Sequence, residues 1–127
     1  MLRRLLRSKI HRATVTEADI DYLGSLSIDE ELAEEAGFQE FEEVMIADLD
    51  SGERLWTYVI LAGRGSRTIG MNGAAAIKIP KGHKIIIFSY GLYDEAEALN
   101  HKPRLVFVDG ENNPIPGPMT ETHAQVL

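Results

Sequence analysis

The sequence predicts a mainly β protein, a small closed barrel with short helices. Three observations carry that expectation. Apolar runs are short and β-branched, as in Ile85-Ile86-Ile87-Phe88, which suits strands. Two such runs, Val44 to Leu49 and Arg54 to Leu61, flank Asp50-Ser51-Gly52, the pattern of a hairpin over 44–61. Helical windows are few, and none is long. Many short strands with few helices fit closure into a barrel.

Each element has a local reason. Residues 8–15 set Ile10, Ala13 and Val15 among polar residues in imperfect alternation, a half-buried strand. Ser27-Ile28-Asp29-Glu30 reads as a capping box opening a helix that Gly37 ends, with Leu32, Ala33 and Ala36 facing the core. Asn72 to Ile77, with Ala74-Ala75-Ala76, suits a helical turn or two, and Asp94 to Leu99 another. Lys84 to Tyr90 and Arg104 to Val108 read as strands. Residues 112–118 hold Asn, Pro and Gly breakers and read as irregular.

The 127 residues (14.1 kDa) fit one domain spanning 1–127, and 44% hydrophobic with 26% charged residues is globular composition. The absence of cysteine excludes disulfides, thiolate metal sites and cysteine nucleophiles, and it suits a cytoplasmic protein. No apolar run could span a bilayer, so no membrane role is expected. The leader Met1-Leu2-Arg3-Arg4-Leu5-Leu6-Arg7 lacks the apolar stretch of a secretory signal; a transit peptide is the alternative, but the alternating continuation favours a strand.

The net charge of −7 argues against nucleic acid as a partner. Its distribution is uneven. Residues 1–12 carry five basic residues and no acid, and residues 13–53 carry fourteen acids and no Lys or Arg. The basic leader therefore either lies against acidic surface, its own or a neighbour's, or stays solvated.

Several chemistries lack support. His11, His83, His101 and His123 have no metal-binding spacing, so no metal is expected. Gly63-Arg64-Gly65-Ser66 lacks the ending of a phosphate loop. A hydrolase triad of Ser25, His11 and Asp19 has no nucleophile elbow behind it. Gly24-Ser25 is different. It reads as a turn, yet a Gly-Ser peptide also permits self-cleavage: the hydroxyl attacks the preceding carbonyl, and elimination from the resulting ester leads to a pyruvoyl group. Glycine leaves that carbonyl unshielded and permits unusual backbone angles.

The stretch Lys9-Ile10-His11-Arg12-Ala13-Thr14-Val15-Thr16-Glu17-Ala18-Asp19, with Asp21-Tyr22-Leu23-Gly24-Ser25, resembles the N-terminus of the pyruvoyl-dependent aspartate decarboxylases. The resemblance continues through Arg54-Leu55-Trp56-Thr57-Tyr58, Arg64-Gly65-Ser66-Arg67 and Asn72-Gly73-Ala74-Ala75-Ala76, covering roughly residues 1–110. It implies a double-psi β-barrel and a homotetramer with sites between subunits. It implies cleavage after Gly24 into a β chain 1–24 and an α chain 25–127 that begins with a pyruvoyl group made from Ser25. That cofactor would form a Schiff base with L-aspartate and act as electron sink, giving β-alanine and CO2 for pantothenate and coenzyme A synthesis. Some members of the family depend on an acetyltransferase-like maturation factor.

Residue roles follow from that substrate. Two carboxylates call for two cations, and Lys9 and Arg54 are the candidates, with the assignment of each left open. Tyr58 is the candidate proton donor to carbon after CO2 leaves. On a strand Arg54, Trp56 and Tyr58 share a face and Thr57 opposes them, unless a bulge intervenes. The resemblance gives Thr57 a part in the ester shift and a place among the substrate-binding residues. Asn72, with the backbone at Gly73, Ala74 and Ala75, is a candidate oxyanion or carboxylate site; its plainer alternative is an N-capped alanine helix. His11 and Tyr22 are candidate pocket residues. The rival reading from another class is a non-enzymatic barrel in which Gly24-Ser25 stays an ordinary turn.

Overall fold

The computed structural model describes residues 1–126. The elements are β1 (Arg3–Thr14), β2 (Glu17–Asp19), β3 (Ser25–Asp29), α1 (Glu30–Ala36), β4 (Glu43–Asp48), β5 (Arg54–Ala62), β6 (Ile69–Asn72), α2 (Ala74–Lys78), β7 (Lys84–Tyr93), α3 (Glu95–Leu99), β8 (Arg104–Val108) and β9 (Pro114–Ile115). The strands hydrogen-bond in the order β2-β6-β3-β5-β4-β7-β1-β8-β9. The chain is mainly β with three short helices, as expected of a small barrel. Among the described residues no helix is long and apolar enough to cross a membrane.

β5 organises the site. Its first half, Arg54 to Tyr58, pairs antiparallel with β4; its second half, Val59 to Ala62, pairs parallel with β3. Tyr58 and Val59 thus mark the point where the strand passes from one partner to the other. The connection from β1 to β2 joins the two halves, because the Val15 and Thr16 amides donate to the carbonyls of His83 and Ile69. The strands enclose one core in which Ile10, Leu26, Ile28, Ile46, Ile69 and Ile87 are fully buried. Burial of such side chains is worth about 1.5–3 kcal/mol each before entropy is counted.

β1 begins at Arg3, well before the expected strand at 8–15, and pairs with β7 and β8. Two register breaks, at Leu6/Ser8 and at Ile10/Ala13, explain the imperfect alternation, and Arg12 at the second has φ 66°. The basic leader lies against the protein's own surface: the Arg7 guanidinium meets the Glu42 carboxylate, and Arg4 covers the Trp56 ring at 5.0 Å.

The capping expectation for α1 is corrected. Ser27 stays in β3, and Asp29 is the cap, accepting from the Glu31 amide at 2.8 Å. Pairing of β3 with β5 and β6 holds residues as far as Asp29 extended, which delays the helix by two positions. Burial pushes the Asp29 carboxyl pKa up, but the amides of Gly65, Arg67 and Glu31 more than reverse this and hold it below the ordinary range. Gly37 ends the helix at φ 72°, and Leu32, Ala33 and Ala36 are buried as expected. α2 also differs: it starts at Ala74 with Gly73 as N-cap and no side-chain cap, because Asn72 belongs to β6. The breaker-rich tail contains one short strand, β9, beside β8.

Candidate active site

β3 and β6 run antiparallel with Ser25 opposite Asn72. Both are nearly inaccessible, at 3% and 4% exposure. The Asn72 Nδ2 donates to Ser25 Oγ at 2.9 Å and to Ser27 Oγ at 2.8 Å. Asn72 Oδ1 is buried without a partner. The strand position of Asn72, rather than a helix cap, is what aims its amide at Ser25.

Gly73 lets the next turn close on the cleavage candidate. Its φ is 62°, and a Cβ there would lie 3.0 Å from Gly24 Cα and 3.3 Å from the Tyr22 carbonyl oxygen. Any other residue at 73 would push the 22–24 segment away. The Gly73 amide is engaged, donating to the Asp19 carbonyl at 2.9 Å. It is therefore spent on the loop and not presented to an oxyanion, unlike Ala74 and Ala75, whose amides open α2 and have no partner within the helix. Gly24 itself is not in the left-handed region. A Cβ there would meet nothing within 4 Å outside its chain neighbours, so the space beside the Gly24–Ser25 peptide is open.

Two cavities meet at this peptide. One, of about 630 Å³, is lined by Asp21, Tyr22, Leu23, Gly24, Ser25, Ser27, Phe41, Tyr58, Ile60 and Asn72. The other, of about 200 Å³, is lined by Gly24, Ser25, Leu55, Trp56, Thr57, Asn72, Ala74, Ala75 and Lys78. The register of β5 with β4 is regular from Arg54 to Tyr58, so no bulge intervenes. Arg54, Trp56 and Tyr58 share the exposed face, and Thr57 turns the other way.

The remaining predicted residues are elsewhere in the chain. Lys9 and His11 line a third cavity with Arg12, Phe107 and the tail residues Pro118, Glu121, Thr122, Gln125 and Val126. Lys9 Nζ is paired with the Glu121 carboxylate. Lys9 lies opposite Phe88, Phe88 opposite Met45 and Met45 opposite Trp56. Lys9 is thus three strand spacings, about 14 Å, from Trp56 on one sheet face. Burial lowers the His11 pKa, and the charges of Lys9 and Arg12 lower it further against a smaller opposing effect of Glu121. Arg54 stands on the exposed face four residues from Tyr58, about 13 Å along the strand, and lines neither Ser25 cavity. Because His11 and Ser25 occupy different cavities, a Ser25-His11-Asp19 triad is not assembled within the chain.

Sequence reasoning missed Ser27, Phe41 and Ile60. Ser27 was legible at a spacing of two from Ser25, had 25–29 been read as a strand. Phe41 is 71% exposed with φ 71°, an unusual conformation for an aromatic residue, at the edge of the larger cavity. Also missed was the grouping of Asp48, Asp50 and His83 within 4.8 Å. Three of its four carboxylate oxygens are already engaged, by His83, Ser51 and the amides of Asp50 and Lys84.

A family model described as aspartate decarboxylase matches residues 1–115. A curated aspartate 1-decarboxylase from Caldicellulosiruptor bescii is 50% identical over 127 residues, which is 100% of this chain and 99% of that protein.

Proposed function

The chain belongs to the aspartate decarboxylase family, and on that premise we infer that it converts L-aspartate to β-alanine and CO2, supplying pantothenate synthesis. The observation that carries the chemistry is the pairing of Ser25 Oγ with the Asn72 amide directly after Gly24. These residues suit the formation of a pyruvoyl group from Ser25. The hydroxyl lies next to the Gly24 carbonyl in the chain, and an N–H donor sits on its oxygen.

In the proposed maturation, Ser25 Oγ bonds to the Gly24 carbonyl carbon, the Gly24–Ser25 C–N bond breaks, and an ester with a free serine amine results. Loss of the Ser25 Cα proton then expels Gly24 as a carboxylate. Water replaces the nitrogen, which leaves as ammonia, and a ketone remains at the head of the 25–127 chain. Chain 1–24 is released as a separate strand held by its pairing with β7 and β8. The pyruvoyl group supplies a carbonyl that takes up the substrate amine and draws electrons from the carbon that loses CO2.

The protein's own residues do the rest. Lys9 and Arg54 bind the two substrate carboxylates, and Arg54 offers a bidentate fork. Tyr58 delivers the proton to carbon on the side of the larger cavity. Thr57 and Asn72 assist the ester shift, with the Ala74 and Ala75 amides on the same side. Tyr22 and His11 line the substrate space. The separation of Lys9 from Ser25, and the position of Arg54 outside both Ser25 cavities, support a site completed between copies of the chain in a homotetramer, with Lys9 of one copy serving Ser25 of the next. Exposure of Trp56, Tyr58 and Phe41 on that side is what such a neighbour would cover. We read the enzyme as cytoplasmic. Maturation is either spontaneous or aided by an acetyltransferase-like factor.

Intact mass under denaturing conditions, followed by an aspartate decarboxylation assay, tests this reading. Two fragments splitting after Gly24, the larger carrying a ketone in place of its amine, together with β-alanine production, are the expected result. A full-length chain that stays uncut with and without a maturation factor would leave the non-enzymatic barrel.

A further inference from the structure

Ser25 and Ser27 lie on one face of β3, while Leu26 and Ile28 point into the core. Across the sheet Ser25 faces Asn72, and Ser27 faces Gly70. A Cβ on Gly70 would come within 3.2 Å of Ser27 Cβ and 3.0 Å of the Glu17 side chain. The glycine keeps the space over Ser27 open, and the Asn72 carboxamide leans diagonally along the ladder into reach of it. Nδ2 carries two hydrogens, and the two serine hydroxyls take one each, at 2.9 and 2.8 Å. With Oδ1 unpartnered, these two bonds are all that fix this buried amide among the described residues.

We propose that Ser27 is a positioning residue for chain maturation: by accepting one Asn72 N–H, it holds the other on Ser25 Oγ. This rests on the reading that the Gly24–Ser25 bond is cut. The position of that N–H matters in two steps. During attack it occupies one lone pair of Oγ and fixes the hydroxyl rotor. During elimination Oγ departs with Gly24 as a carboxylate oxygen, and a donor already on it stabilises the developing negative charge. Without the Ser27 hydroxyl a buried amide has one N–H and its carbonyl both unmet, and rotation of the carboxamide is the relaxation open to it. Ser27 borders the larger cavity, and the contact its oxygen makes is the N–H of Asn72, so the assignment is to maturation through Asn72.

The test compares full-length wild type, Ser27→Thr and Ser27→Val. The last two have nearly the same shape and differ in the hydroxyl. The cut fraction is followed in time by intact mass, alongside the melting temperature of each uncut chain. The Thr variant is expected to mature within about twofold of wild type and the Val variant about tenfold or more slowly, the scale of one misplaced hydrogen bond in a barrier, with the Val chain melting a few degrees lower for its stranded N–H yet fully folded at the assay temperature. Val maturing as fast as wild type, Thr as slow as Val, or a Val defect that vanishes when maturation is followed far below its melting temperature would overturn the assignment while leaving the cleavage reading intact. A wild-type chain that is never cut would remove both.

Discussion

Thr57 and Tyr58 are neighbours on β5, yet they look into different cavities, and the two cavities share Gly24, Ser25 and Asn72. No bulge interrupts the strand here; Leu55, Trp56 and Thr57 line the smaller cavity and Tyr58 and Ile60 the larger, so the division falls between Thr57 and Tyr58 along β5. Ser25 stands at the start of β3, one residue before the Leu26–Val59 pair, so it is reached from both sides of β5 at the strand's crossover. A single serine can thus be served by one set of groups while it is being converted and by another when substrate is present.

That geometry separates the two neighbours by experiment. Thr57→Val is expected to slow cleavage while turnover per matured chain stays close to wild type. Tyr58→Phe is expected to mature at the normal rate and to lose about 10²–10⁴-fold in kcat, the usual contribution of a positioned general acid. Fragment ratios by mass and turnover normalised to pyruvoyl content check both. Equal effects of the two substitutions on both readouts would contradict the division of labour.

Ser25→Ala removes the proposed nucleophile and the proposed source of the ketone together. The expected protein is a single uncut chain with no decarboxylation. Ser25 is small and buried, so alanine leaves the fold in place and strands only the Asn72 N–H that it accepted. Activity in that variant would place the reacting carbonyl elsewhere.

Lys9→Ala and Arg54→Ala each delete one proposed carboxylate partner. A charge-assisted bond is worth about 1.5–3 kcal/mol, so kcat/KM is expected to fall roughly 10–100-fold in each with the fold retained. Glu121→Gln tests the same cation from the other direction, because the tail carboxylate occupies Lys9. Gly117 packs so close to Phe107 that a Cβ would lie 2.1 Å from the ring, which brings the tail toward that cavity. Removing the Glu121 charge is expected to lower KM for aspartate and leave kcat unchanged. A steady-state titration of the three variants decides it.

How much of this the sequence disclosed depended on whether the pattern was local. The β4–β5 hairpin and the α1 core positions are written in adjacent residues, by period and by turn chemistry. β2, β3 and β6 are three to five residues long, and β3 and β6 owe their extended state to partners distant in sequence, so no local pattern marks them. Missing β3 displaced the α1 cap to Ser27 and hid that residue's link to Asn72. The proposed site split for a similar reason. Ser25, Thr57, Tyr58 and Asn72 are gathered by β3, β5 and β6, whereas Lys9 and His11 lie on β1, across β7 and β4, and pairing within one chain keeps them apart.

The His83–Asp48 pair contributes most to stability on the acid side of neutrality. His83 Nδ1 lies 2.7 Å from the fully buried Asp48 carboxylate, tying the start of β7 to the turn after β4. The Asp48 hydrogen bond raises the His83 pKa above its ordinary value, outweighing partial burial, and the Asp48 and Asp50 charges add to it. Burial pushes the Asp48 carboxyl up, but the bonds from His83, the Asp50 amide and Ser51 bring it below its ordinary value. The two signs differ. A raised histidine contributes stability that is complete below its unfolded pKa of about 6.5 and is lost as pH rises through the folded value. A depressed carboxylate contributes above its unfolded pKa of about 3.9 and is lost as pH falls through the folded value. The pair is therefore worth most between about pH 4 and pH 6.5. Melting temperatures of wild type and His83→Gln should differ most in that window and converge as pH rises past the folded histidine pKa. A constant difference from pH 5 to pH 9 would mean that His83 contributes by packing and not by charge.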